Sequence, residues 1–405
     1  MSNFENIDIS VEFAGKKLQS PFIVSSGPLT YAAEGMIKAH EQGAGAVVTK
    51  TIRLERAINP VNHIAIMNKD SLFNCEKWAD SDAEVWFTRE IPMAKAAGAV
   101  VIASVGHTLP EAEALVKKAE DAGADFIELV SYTETDMLPM LEATLDRVAI
   151  PVICKLSSNY PAWKDPVECA RKCLEIGKAR NHQVLIGAID SVGPTLCVDI
   201  YNKGPIIGSD KGQGWLSGGA IRPISMRINY DIMKTDRNII SYGIGGVTKA
   251  EDALEYMMIG TQAVGICSIL IIKGMEYLAK INTSLRKKIA ELGYNSIDEL
   301  RGVALDNFDT VANEPTEGEQ VEGVESNAKL EFKFDEGLCI KCNQCVNICS
   351  YDARTLNFPD MRVDRDLCRN CGACVTVCPT RSLTSKAVSK FENIDDKQNY
   401  IGFFS

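Results

Sequence analysis

Short apolar runs rich in β-branched residues alternate with stretches whose apolar positions recur at helical spacing, from the start of the chain to about residue 305. The runs are PFIVSS (21–26), AVVTK (46–50), VVIAS (100–104), DFIELV (125–130), PVICKL (151–156), VLIGAID (184–190), NIISYG (238–243) and AVGICS (263–268). Eight such strands, each followed by helical sequence, predict a parallel (β/α)8 barrel, since parallel strands need a crossover and a helix supplies it. The helices carry their own punctuation. PEAEALVKKAEDAGA (110–124) opens on Pro110 and stops at Gly123, while TKAEDALEYMMIGTQA (248–263) is expected to take Thr248 as N-cap with Glu251 completing a capping box. Ahead of the first strand, IDISVEF and KLQS predict a β-hairpin turning at Gly15 that plugs the barrel floor.

The periodicity stops at about Asp306. From there to Asn327 the sequence is acidic, with Glu314, Glu317, Glu319, Glu322 and Glu325 around Pro315 and Gly318, which reads as a solvated connector. The predicted organisation is a barrel over 1–305, an acidic linker over 306–327 and a small α+β module over 328–405. A chain of 405 residues with 46% hydrophobic and 24% charged content suits one large and one small globular domain. The net charge of −11 argues against nucleic acid or an acidic membrane surface as partner. The opening MSNFENIDIS lacks a basic and apolar leader, and no run reaches the roughly 18 apolar residues of a membrane span, so a cytoplasmic location is expected.

Cysteine spacing changes the picture of the small module. Cys339, Cys342, Cys345 and Cys349, then Cys368, Cys371, Cys374 and Cys378, each spell C-x2-C-x2-C-x3-C, and Pro379 closes the second run where Ser350 follows the first. Three closely spaced thiolates wrap three irons of a cube and the fourth iron takes a cysteine from the other run. The spacing therefore predicts a ferredoxin-like module with two 4Fe-4S clusters, one on Cys339, Cys342, Cys345 and Cys378, the other on Cys368, Cys371, Cys374 and Cys349. Zinc ribbons use separated C-x2-C pairs, and disulfides need an oxidising compartment. The six other cysteines, Cys75, Cys154, Cys169, Cys173, Cys197 and Cys267, lack ligand spacing and read as small buried hydrophobes.

In a (β/α)8 barrel the chemistry gathers where strands end, which singles out Ser25, Ser26, Lys50, Asn74, His107, the 131–136 loop, Lys155, Asp190, Gly245, Gly246, Cys267 and Ser268. Small residues after the last two strands suit a phosphate, held by backbone N–H groups, and Gly218 and Gly219 add donors. Asp190 ends an apolar strand, where an unpaired carboxylate is costly, so it is expected to meet Lys155 or a ligand donor.

Several stretches make the barrel familiar: ISVEFAG, SPFIVSSGP, AVVTKTI, SLFNCE, GADFIEL, PVICKL, SGGAIRPISMR, YGIGG and GICS. In this order they resemble the dihydroorotate dehydrogenase family, and most closely the pyrimidine-reducing part of dihydropyrimidine dehydrogenase, whose barrel is likewise followed by a two-cluster module. The resemblance implies FMN, with Gly218, Gly245, Gly246, Cys267 and Ser268 at its phosphate, Ser25 and Ser26 near the ring, and Lys50 and Lys155 beside the isoalloxazine. It also implies a dimeric barrel with the cluster module reaching the flavin of the neighbouring subunit. The family's E-L-N-L-S-C-P-H after the fourth strand is here Glu128, Leu129, Val130, Ser131, Tyr132, Thr133, Glu134, Thr135. Its T-N-T after the sixth is Ile189, Asp190, Ser191.

Two amides that would read a pyrimidine are thus absent, which predicts rejection of dihydroorotate and dihydrouracil. Thr133 takes the family's acid/base position, with Tyr132, Lys155 and Asp190 as further catalytic candidates, and Asn74, His107 and Glu134 are expected to face substrate. The reading is an oxidoreductase acting on a C–C bond of a small cyclic or conjugated substrate. No G-x-G-x-x-G opens a helix after a strand, so electrons are expected to pass to a partner protein, an NAD(P)H-oxidising flavin subunit or a ferredoxin, in a homodimer or heteromer. Two alternatives are an electron-transfer subunit without substrate chemistry of its own and a cluster protein whose degenerate barrel only binds or scaffolds.

Overall fold

Eight parallel strands close into a barrel in the computed structural model, which describes residues 4–159, 161–311 and 330–387. They are β1 (Phe22–Val24), β2 (Ala46–Val48), β3 (Val101–Val105), β4 (Phe126–Val130), β5 (Val152–Lys155), β6 (Val184–Ala188), β7 (Ser241–Ile244) and β8 (Ala263–Ile266). Each pairs in parallel with its sequence neighbours, and β8 returns to β1 through Val264–Phe22, Gly265–Ile23 and Ile266–Val24. Strands covered on both faces read as unbroken apolar runs, and Val101–Val105 is buried throughout. The chain divides into two units, 1–312 and 313–405.

The hairpin of Val11–Phe13 and Lys16–Leu18 turns at Gly15 and sends Phe13 against Phe126, 5.4 Å between ring centroids, and edge-on to Tyr242 at 6.3 Å. Those partners start β4 and β7, so the hairpin closes the N-terminal end of the barrel. Phe13 is fully buried, and truncating it to alanine would cost about 3–5 kcal/mol.

Helix boundaries follow capping chemistry. Thr108 and Glu111 form a capping box ahead of helix Leu109–Asp121, and Gly123 follows it at φ +97°. In helix Ala250–Met258 the box differs from the sequence expectation: Asp252, not Glu251, accepts from the backbone of Thr248 and Lys249 and from the Thr248 hydroxyl. Starting the helix at Ala250 puts the one-carbon-shorter carboxylate at the third position. Helix Val303–Val311 runs across residue 305, with Phe308 packed on Tyr230 at 4.8 Å, so residues 306–311 are helical; the rest of the expected linker, 312–327, lies outside the described residues.

Two crossovers build a roof that strand patterning did not reveal. Ile64–Ile66 and Ser71–Asn74, after β2, join Val192–Leu196 and Gln213–Gly218, after β6, in one antiparallel four-stranded sheet. Trp215 pairs with Asn74 at its centre.

The C-terminal unit is two matching halves. Leu330–Phe334 pairs with Leu383–Ala387, and Arg354–Asn357 with Asp360–Val363. Each half has one short helix, Gln344–Asn347 and Ala373–Thr376, entered through a left-handed residue, Asn343 at φ 59° and Gly372 at φ 73°. Lys341 and Asn370, then Asp352 and Arg381, repeat the positive φ at the same places relative to the cysteines.

Candidate active site

One cavity of about 870 Å³ opens at the C-terminal ends of the strands, beneath the roof. It is lined by Ser25, Ser26, Lys50, Asn74, His107, Tyr132, Lys155, Asp190, Gly218, Gly245, Gly246, Cys267 and Ser268, so thirteen of the expected site residues converge there. Thr133 and Glu134 do not line it. The Thr133 hydroxyl bonds the Asp136 carboxylate and accepts from Asp136 N at 3.2 Å, as N-cap of helix Glu134–Leu145. Glu134 Oε2 accepts from Lys164 N at 3.0 Å and Asp165 N at 3.1 Å, stitching the loop after β5.

The inner wall is a charged column. The Tyr242 hydroxyl donates to Glu128, Lys155 Nζ lies 3.5 Å from Glu128 Oε1, and Asp190 Oδ2 is 3.0 Å beyond Lys155. Burial disfavours the Lys155 ammonium, but the two carboxylates outweigh it and hold its pKa above the usual lysine range. Burial likewise opposes the Asp190 carboxylate, and Lys155 more than compensates, so its pKa is depressed. Both groups stay charged at neutral pH. The phenol of Tyr242, desolvated and beside Glu128, is pushed well up and stays protonated.

The second lysine has a separate partner. Lys50 Nζ sits 3.0 Å from Glu76 Oε2 and 5.3 Å from the Tyr31 ring, and desolvation lowers its pKa despite Glu76. The thiol of Cys267, buried and near Glu76, is pushed up to about 12 and remains neutral.

The outer wall is aromatic. Tyr132 stacks on His107 with 3.9 Å between centroids and 8° between planes, and Trp78 meets His107 edge-on at 6.2 Å. Burial, with Arg53 and Lys155 nearby, lowers His107 to about 3, so its ring is neutral. Asn74 Nδ2 donates to Trp215 O at 3.3 Å, and Asn159 Oδ1 accepts from Gly193 N at 2.8 Å, which ties the roof to the barrel rim.

Residues of the site fit a flavin mononucleotide. At the end near β7 and β8, Gly245 and Gly246 hold φ +121° and +75°, and a Cβ on Gly246 would lie 2.8 Å from Arg222 N. Only glycine allows that close backbone packing. Gly218, at φ +85°, has Asp70 O where a Cβ would stand, 2.3 Å away, and Ser268 Oγ lies 3.2 Å from Ser217 Oγ. Ser25 Oγ, Glu76 Oε1 and His107 Nδ1 are buried without a hydrogen-bond partner among the described residues, and all three residues line the cavity. Such groups are costly unless a ligand answers them.

In the C-terminal unit, Cys339, Cys342, Cys345 and Cys378 surround one small cavity with Leu356 and Met361. That is the crossed set the spacing predicts for one cube. Cys345 and Cys374 are buried at the centre of the unit with Leu383.

A parallel barrel with small residues after its last two strands and ion-paired lysines in its mouth, accompanied by a two-cluster module, defines a flavin and iron–sulfur oxidoreductase. The dihydroorotate dehydrogenase family model matches residues 8–289 and a 4Fe-4S dicluster domain matches 338–382. The chain belongs to the dihydroorotate dehydrogenase family, and its cofactors are FMN and two 4Fe-4S clusters. It is 32% identical over 313 residues, 74% of this chain and 99% of the relative, to the catalytic subunit of dihydroorotate dehydrogenase B (NAD(+)) of Thermoplasma volcanium. Proteins of the same name from Thermoplasma acidophilum and Pyrococcus abyssi are 29% identical (74% of this chain, 99% of the relative) and 28% identical (73% and 99%). Among the described residues no helix is long and apolar enough to cross a membrane.

Sequence reasoning did not single out Glu76, Glu128 or Tyr242. Glu128 had a signal, a carboxylate inside the apolar strand FIELV, which must be paired to be tolerated. Glu76 had none, since only the folded crossover brings it to Lys50.

Proposed function

We propose that this chain oxidises or reduces a C–C bond of a small, flat, cyclic or conjugated substrate other than dihydroorotate, and exchanges the electrons with a partner protein through its clusters. The carrying observation is that both buried lysines of the cavity are already matched, Lys50 by Glu76 and Lys155 by Asp190. A carboxylate-bearing substrate would find no unmatched buried lysine there, Lys77 being exposed at the cavity's edge beside Trp78, and would face Asp190. Val130, where the family pattern has asparagine, also lines the cavity and offers no amide. The stacked Tyr132 and His107 supply a flat wall that suits a planar ligand.

Bound FMN supplies hydride chemistry and the step-down to single electrons. Lys155 would supply a fixed positive charge to the ring, its ammonium held in place by Asp190 and Glu128. Ser25 and Ser26 would hold the ring side of FMN and Gly218, Gly245, Gly246, Cys267 and Ser268 its phosphate. The Tyr132 hydroxyl, on the outer wall, is the candidate carrier of the substrate proton, and Asn74 and the neutral His107 would orient the ligand. Thr133 and Glu134 carry no step of this proposal. The relatives' name, a catalytic subunit, supports a heteromer in which another subunit handles NAD(H); the charge of −11 and the absence of a long apolar helix among the described residues support a cytoplasmic place.

The test is anaerobic purification followed by rapid mixing. FMN and about eight irons per chain should accompany the protein, and the flavin should bleach with a neutral cyclic substrate and not with dihydroorotate. Bleaching by dihydroorotate at a comparable rate overturns the substrate reading. Loaded flavin that reacts with a redox partner and with no small molecule would favour the electron-transfer alternative.

A further inference from the structure

The two halves of the C-terminal unit differ at two adjacent buried positions, and at one of them the first half carries a charge. Arg354 stands five residues after Cys349, and Leu383 stands five after Cys378. Arg354 is 4% exposed and Leu383 is 1% exposed. A buried guanidinium is costly unless matched. Arg354 Nη2 donates to Cys374 Sγ at 3.1 Å, and its plane lies 4.3 Å over the Phe332 ring. Its Nη1 is buried with no partner among the described residues. With no acid beside it among its described contacts, the cation's natural counter-charge is an iron–sulfur cube.

Around the other set, the sulfur contact is of another kind. Cys378 Sγ lies 3.3 Å from the Ser382 hydroxyl, and the residue matching Ser382 in the first half is Ala353. One cube is thus approached by a neutral hydroxyl, the other by a buried cation.

We propose that Arg354 makes the cluster bound by Cys349, Cys368, Cys371 and Cys374 the electron acceptor of the pair. Hydrogen bonds to the sulfurs and local charge set a cluster's potential. Reduction adds one electron and one negative charge to the cube, with no proton required, and the guanidinium offsets that charge. The electron comes from the neighbouring cluster, which is oxidised by the same one electron. Charge from Arg354 reaches Cys345 as well; the directed bond goes to Cys374. The inference rests on the two-cluster reading of this unit and is independent of what the barrel reduces.

The experiment uses the full-length protein with both clusters loaded, titrated potentiometrically and followed by electron paramagnetic resonance. Arg354→Leu, which copies the second half, should lower one cluster midpoint by about 59 mV or more, a tenfold change in its one-electron equilibrium, and the other by less. Ser382→Ala should move the other midpoint instead. Arg354→Lys should retain part of the effect and decides the matter if Arg354→Leu fails to hold iron. Unchanged midpoints, equal shifts of both, or a shift of the same midpoint by Arg354→Leu and Ser382→Ala would overturn the proposal. Fewer than about eight irons in the unsubstituted protein would instead strike the cluster reading itself.

Discussion

Lys155 Nζ lies 3.0 Å from Asp190 Oδ2, so the charge at the end of β5 is matched by the residue that follows β6. Strand order makes this contact: β5 and β6 are parallel neighbours, with Lys155 registered against Gly187. The family pattern has an uncharged amide where Asp190 stands, which makes the pairing a property of this chain's site.

Replacing Asp190 by asparagine should release the Lys155 charge into the cavity. We expect Asp190→Asn to bind a cyclic carboxylate such as orotate at least tenfold more tightly, about 1.4 kcal/mol. Perturbation of the flavin absorbance on titration measures it. An unchanged affinity would mean that Asp190 does not screen the site against anions.

Glu76→Gln strips a buried ammonium of its counter-charge. Stability should fall by about 3–5 kcal/mol in denaturant unfolding, and the double variant Glu76→Gln with Lys50→Met should recover most of it. Desolvation already lowers the Lys50 pKa, so in the single variant Lys50 should lose its proton at still lower pH. A loss no smaller in the double variant would show that Glu76 acts through something other than Lys50.

The neutral His107 ring predicts an acid limb in stability. Its folded pKa, about 3, lies below its unfolded value near 6.5. Between these the unfolded chain binds the extra proton, so stability is complete above 6.5 and is lost as pH falls toward 3, at up to about 1.4 kcal/mol per pH unit. Arg53, Lys50 and Lys155 oppose the charged ring and Asp190 favours it. His107→Gln should flatten the barrel's unfolding profile between about pH 6.5 and 4.5, above the range where carboxylates titrate. Near-ultraviolet circular dichroism follows it; an unaltered slope would assign the limb to other groups.

For Thr133 the fold favours a capping role. Thr133→Val should cost about 1 kcal/mol of stability, Thr133→Ser much less, and turnover should stay within a few-fold. A hundredfold loss of turnover with the helix intact would place that hydroxyl in the chemistry.

Legibility in the sequence tracked how local each signal was. The barrel strands were readable because both faces of runs such as VVIAS are covered, and the two-cluster module because its cysteine spacing is itself the chemistry. The need for glycine at 245 and 246 was readable because positive φ and close backbone packing there admit little else. The roof was not: it is joined by the pairing of Ser71–Asn74 with Gln213–Gly218, segments more than a hundred residues apart, and its outer strands Ile64–Ile66 and Val192–Leu196 lack regular alternation. Thr133 was misleading because the same residue type serves as a loop hydroxyl and as a helix cap, and only the fold shows Asp136 in reach.

Because that upper sheet is assembled from two excursions of the chain while Gly245, Gly246 and the lysines belong to the barrel rim, the cover of the cavity can change apart from most of the cofactor-holding residues, Gly218 being the one the sheet contributes. Exchanging residues 64–74 and 192–216 together, so that Asn74 and Trp215 stay in register while Ser217 and Gly218 are kept, offers a way to redirect the enzyme toward new molecules with the flavin-holding residues left in place.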